Sequence, residues 1–135
     1  MKNQTKLIGI GAVFMVLLAS VIVLAIYDDV DGPLIYELYV LPIDPAEGDM
    51  IQVIAYAIDT SGVSNAQLSY TIDGTNWEVQ DMSFYSCLCL AGGRWVGTFG
   101  PITIENVSEF YITAYDNSPT MNPSDTQVFS IEIST

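Results

Sequence analysis

The chain has 135 residues, half of them hydrophobic, with 3 basic and 16 acidic side chains and no histidine. Two of the bases are Lys2 and Lys6, so from residue 27 onward Arg94 stands alone against every acid in the chain. Such an imbalance repels phosphate backbones and excludes nucleic acid as a partner, and the lack of histidine removes the commonest general acid–base group.

Residues 1–6 form a short basic N-terminus, and residues 7–26 are an unbroken apolar or small-residue run without a charge. At about 1.5 Å per residue a helix of that length spans the roughly 30 Å hydrocarbon core of a bilayer. The lysines ahead of it and the acidic linker at 27–33 (Asp28, Asp29, Asp31) predict an N-inside, C-outside orientation. Val23-Leu24-Ala25 is a candidate cleavage point, but the run exceeds the usual secretory core, so a retained single-pass anchor is expected. The domain at 34–135 is then extracellular. About a hundred residues make one domain with a real core.

From Gly32 the pattern becomes short β-type runs separated by turns. The first covers 34–41 and ends at Pro42 and Pro45. The second covers 50–58, with Ile51, Val53, Ala55 and Ala57 on its core face. The third, 66–72, alternates Ala66, Leu68, Tyr70 and Ile72 inward with Gln67, Ser69 and Thr71 outward, and Asp73-Gly74 makes a tight turn. Runs at 77–82, 95–99 and 110–115 follow, with an irregular stretch at 83–93 between the first two. The last places Phe129, Ile131 and Ile133 on one face. About seven strands without helical periodicity predict an all-β fold, a seven-stranded antiparallel β-sandwich behind one N-terminal helix.

Gly48-Asp49 before an alternating strand, Asp59-Thr60-Ser61-Gly62-Val63, Tyr70-Thr71-Ile72-Asp73-Gly74 with Trp77, Arg94-Trp95 with Gly97, and 111–117 together resemble the fibronectin-type-III or immunoglobulin-like modules of prokaryotic, especially archaeal, surface proteins. The resemblance implies an immunoglobulin-like fold and no particular activity. Asn117-Ser118-Pro119 departs from it, standing where a glycine-containing turn is expected.

Several side chains are candidates for function. In sandwich order Asp59, Asp116 and Asp125 fall near one end, where calcium would find oxygen ligands; the alternative is that each caps a turn. Cys87 and Cys89 are two apart, which leaves open a small strained ring, a bridge to another subunit, or two buried thiols. Met50, Ile54, Tyr56 and Ile58 occupy the face of the second strand that an isolated sandwich would keep wet, and mark an interface with another subunit or partner unless the first strand or a long loop folds over them. Trp77, Trp95, Tyr36, Tyr39 and Tyr115 are candidates for a carbohydrate platform, with Trp77 and Trp95 better read as packing residues. Asn106-Val107-Ser108 is an outward-facing glycosylation acceptor.

No base stands near a serine or cysteine and no glycine-rich phosphate loop occurs, so an enzyme is not expected. The expectation is a membrane-anchored surface protein of structural or adhesive kind, whose partners are other surface proteins or copies of itself, with no cofactor other than calcium. One alternative is a filament subunit resembling archaeal pilins, with the apolar helix in the filament core. Gly9-Ile10-Gly11-Ala12 suits close helix contact, but Lys6-Leu7 lacks the basic-glycine leader of such subunits. The other alternative is an exported subunit of a larger membrane complex.

Overall fold

Alternation of buried and outward side chains along the longer strands decides this architecture. The computed structural model describes residues 31–88 and 93–133. The predicted membrane helix at 7–26 and Cys89 lie outside the described residues. Among the described residues nine antiparallel strands form two sheets: β1 (Leu34–Leu41), β2 (Ile51–Ile58), β3 (Val63–Thr71), β4 (Trp77–Asp81), β5 (Ser83–Tyr85), β6 (Arg94–Phe99), β7 (Ser108–Asp116), β8 (Pro123–Asp125) and β9 (Phe129–Ile131). One sheet has the order β1-β2-β6-β5; the other has β4-β3-β7-β8, with β9 also on β7. The fold is a two-sheet, all-β sandwich. Among the described residues no helix is long and apolar enough to cross a membrane.

Nine segments replace the expected seven for two reasons. β5 lies inside the stretch read as irregular, where three residues pair with β6. β8 and β9 lie along one side of β7, and the register slips by one residue between them. At the break Thr126 keeps the ladder going: its backbone N–H donates to the Ile112 carbonyl, and its hydroxyl accepts from the Ile112 N–H. A side chain thus stands in for a backbone acceptor at a bulge.

The inner faces carry the core. Ile51, Val53, Ala55 and Ala57 are fully buried on β2, opposite Ala66 and Leu68 of β3 and Phe110, Ile112 and Ala114 of β7. Aromatic rings link the layers, Tyr70–Phe99 at 5.1 Å and Phe99–Phe110 at 5.8 Å between centroids, and Phe110–Phe129 at 5.3 Å extends the line within one sheet. Gly97 allows the closest approach, since a Cβ there would lie 2.9 Å from Leu68 Cδ2.

Two outward positions on β3 are nonetheless shielded from solvent. Ser69 and Thr71 are buried on the outer face. Ser69 sits between Val79 and Tyr111, and Thr71 between Trp77 and Glu109. Trp77 and Tyr111, with ring centroids 5.6 Å apart, shelter these small residues on the central strand. Trp95 is a core residue as expected, whereas Trp77 remains 41% exposed on the outside.

Phe110 touches rings from both layers, so Phe110→Ala is expected to destabilise the domain by about 3–5 kcal/mol. Val79→Ala, on the outer surface, should change stability by no more than about 0.5 kcal/mol. Urea unfolding of the detergent-held chain, followed by tryptophan fluorescence, measures both.

Candidate interaction surface

The outer face of the β1-β2-β6-β5 sheet follows directly from its register. Leu34 stands beside Ile58; Glu37, Tyr56, Arg94 and Tyr85 form a row across all four strands; Tyr39, Ile54, Val96 and Ser83 form the next; Leu41, Gln52 and Thr98 form the last. A bulge between Ile35 and Glu37 brings Tyr36 to the same level, and its ring lies 6.1 Å from that of Tyr56. Tyr39 meets Tyr56 edge-on at 6.0 Å. The face is therefore built of rings and branched aliphatic side chains, with few charges.

Ile54, Tyr56 and Ile58 lie on this face and are only partly shielded, and Met50, just ahead of β2, is half exposed. Sequence reasoning found the β2 contribution and missed Glu37, Arg94, Val96 and Tyr85. Alternation within β6 carried a signal for Arg94 and Val96, but only the pairing of β2 with β6 puts them beside Tyr56 and Ile54. Arg94 is the only basic side chain among the described residues, and its guanidinium lies over the Tyr85 ring at 5.9 Å. Hydrogen bonding to the Glu37 carboxylate, and the field of that charge, raise the Tyr39 hydroxyl above its ordinary value. Glu37 is thus a charged acceptor within a ring of tyrosines.

The candidate calcium residues are placed differently from one another. Asp59 accepts from the backbone N–H and hydroxyl of Ser61. Ser61 and Gly62 in turn accept from the Asn117 N–H, which joins the β2–β3 and β7–β8 loops. Asp116, fully buried, organises the second loop. Its Oδ1 accepts from the Ser118 N–H, the Ser118 hydroxyl and the Asn122 N–H, and its Oδ2 accepts from the Asn122 amide. This knot replaces the glycine turn that the sequence lacks. Asp125 stands apart on β8, accepting from the Thr113 hydroxyl. Among the described residues no group of three or more His, Cys, Asp or Glu is placed to hold a metal ion.

Cys87 is disulfide-bonded, and Cys89 is the only other cysteine in the sequence. Asn106 is exposed on the β6–β7 loop. The five aromatics considered as a carbohydrate platform do not share a surface: Tyr36 and Tyr39 lie on one sheet, Trp77 and Tyr115 on the other, and Trp95 between them.

No protein-family model matches the chain, and no curated protein matches it. A solved structure titled "Crystal structure of Br derivative BhCBM56", a carbohydrate-binding module with a β-sandwich fold, is similar with a TM-score of 0.51 and 12% identity. The match covers 75% of this chain and 98% of that one, and at this identity the likeness is one of fold.

Burial alone would raise the Asp116 carboxyl, but the hydrogen bonds from Ser118 and Asn122 outweigh it and hold the group below the usual carboxylate range. The Asp73 carboxyl is held well below that range by the backbone and side-chain donors of Asn76, Thr75 and Thr71. Both groups bind protons more weakly folded than unfolded. Their stabilisation is present above the unfolded value of about 4 and is lost as pH falls through the lowered folded values. Melting temperature should therefore drop on acidification below about pH 4. Asp116→Asn should melt lower at neutral pH and show a shallower acid decline.

Proposed function

We propose that this chain is a membrane-anchored surface protein of structural or adhesive kind, whose outward domain is an immunoglobulin-like module that works by docking. The strand order supports the immunoglobulin-like reading: β1-β2-β6-β5 against β4-β3-β7-β8 corresponds to the ABED and C′CFG sheets of such sandwiches. The apolar run at 7–26 supports the anchor. The observation that carries the docking reading is the outer face of the β1-β2-β6-β5 sheet, where Tyr36, Tyr39, Ile54, Tyr56 and Ile58 cluster in neighbouring register positions with few charges between them. Contiguous apolar surface of this kind is characteristic of interaction sites, and tyrosine serves there because its ring is apolar and its hydroxyl tolerates water. Filament packing and membership of a larger membrane complex are the two alternative settings for the same face.

The full-length chain should leave membranes only with detergent and migrate in native electrophoresis as part of a larger species. Tyr56→Glu places a second carboxylate between Glu37 and Arg94 at the centre of the face and removes its central ring. This variant is expected to migrate as the smaller species while still unfolding cooperatively, with a loss of about 1–3 kcal/mol because Tyr56 packs against Tyr36 and Tyr39. A freely dissolved mature protein lacking residues 7–26, or unaltered migration of the variant, would overturn the proposal.

A further inference from the structure

The geometry points to a second copy of this chain as the occupant of the face, packed sheet against sheet about a two-fold axis running along β2. This inference rests on the docking role proposed above and supplies its partner.

The argument begins with one row of side chains. Glu37 and Arg94 flank Tyr56 on neighbouring strands, one on β1 and the other on β6. Strands in a sheet are about 4.8 Å apart, so the acid and the base stand at about equal distances on either side of β2. Two sheets stacked face to face by a two-fold axis have only two simple settings with respect to their strands. With the axis across the strands, Arg94 faces Arg94 and Glu37 faces Glu37. With the axis along β2, left and right exchange: each Arg94 faces the partner's Glu37, and the two Tyr56 rings meet at the centre. An isologous interface requires this self-complementarity.

Charge also selects the partner. Two copies of so acidic a domain repel over nearly all of their surface. On this face the four rows set by the strand register hold one acid and the only base among the described residues. It is thus the patch where two copies approach with both charges answered. An acidic partner of another kind would leave Glu37 opposed by like charge, and a basic one would be drawn to the rest of the domain instead.

The chain direction agrees. An axis along the strands leaves strand direction unchanged, so both copies begin β1 at the same end of the pair. That arrangement suits two chains whose N-terminal runs enter one membrane.

Residues on β2 lie next to the axis and therefore next to their own counterparts. Packed sheets lie about 10 Å apart, too far for a direct disulfide, so a short bis-maleimide is the suitable reagent. In full-length chains reconstituted into vesicles, Ile54→Cys is expected to cross-link to itself. Val79→Cys on the far sheet should not, and the wild-type chain controls for the native cysteines. Adding Glu37→Arg or Arg94→Glu to Ile54→Cys should each lower the yield by about tenfold, since like charges then face each other twice. Mixing these two variants in the same vesicles should restore the yield through heterodimers, in which both facing pairs are again opposite. That rescue requires contact between copies and does not arise from a fold defect or from association of the N-terminal runs. Equal cross-linking at positions 54 and 79, or no recovery on mixing, overturns the inference. If cross-linking fails while Tyr56→Glu still reduces the assembly, the face docks another protein; if Tyr56→Glu also leaves the assembly unchanged, the docking role falls with it.

Discussion

Contact between the two inner faces, above all Leu68 seated against Gly97 and the line of rings from Tyr70 through Phe99 and Phe110 to Phe129, is the constraint on which the rest of this molecule depends. A two-layer fold has one apolar interior, and each strand must present its alternate side chains to it. Once Ile51, Val53 and Ala55 face inward, Gln52, Ile54 and Tyr56 must face out, because the period of two leaves no other choice. The outer surface of β2 is a consequence of its inner one, and what can vary is only the chemistry of those outward positions.

The loops extend the same logic with polar groups. Asp73 and Asp116 each gather several N–H and O–H donors into a turn, so the charge that burial would penalise is held by hydrogen bonds. Asp116 is the more informative case, since it is fully buried and its partners Ser118 and Asn122 lie within the next six residues. A local carboxylate knot closes the β7–β8 connection without the left-handed glycine that such a turn otherwise uses, although Met121 takes a positive φ of 48° in the same loop. Through Asn117 this loop also holds the β2–β3 loop, so one end of the sandwich is cross-braced by hydrogen bonds.

Strands with a full alternating pattern were legible in the sequence because each carries its own evidence. β1 lies at residues 34–41 as read, and the core face of β2 was identified residue by residue. Strands of three residues carry no such pattern: Ser83-Phe84-Tyr85 and Pro123-Ser124-Asp125 exist because β6 and β7 offer unpaired edges. Ser69 and Thr71 misled for a related reason, since their burial comes from large neighbours on adjacent strands. The row containing Glu37, Tyr56 and Arg94 was hidden for the same cause. It joins residues up to 57 positions apart through a pairing order that composition and periodicity do not encode.

The two outer faces differ in how their polar groups are satisfied, and this difference separates a solvated surface from a docking one. On the β4-β3-β7-β8 sheet, Gln67 donates to Asp81 and accepts from Tyr115, and Thr113 donates to Asp125. Its acids are interspersed with amides and hydroxyls that satisfy them, beside the exposed Trp77 and Val79 at the β4 edge. On the β1-β2-β6-β5 sheet, rings take the place of such pairs, Tyr39 holds Glu37, and Arg94 rests on Tyr85 without a carboxylate beside it in its row. A cation over an aromatic ring keeps most of its hydration and remains ready to meet an anion from outside, whereas one already bonded to a neighbouring carboxylate does not. In the proposed pairing the acidity of the domain works as selection, since like charge opposes contact between copies except where one base and one acid are placed to answer each other.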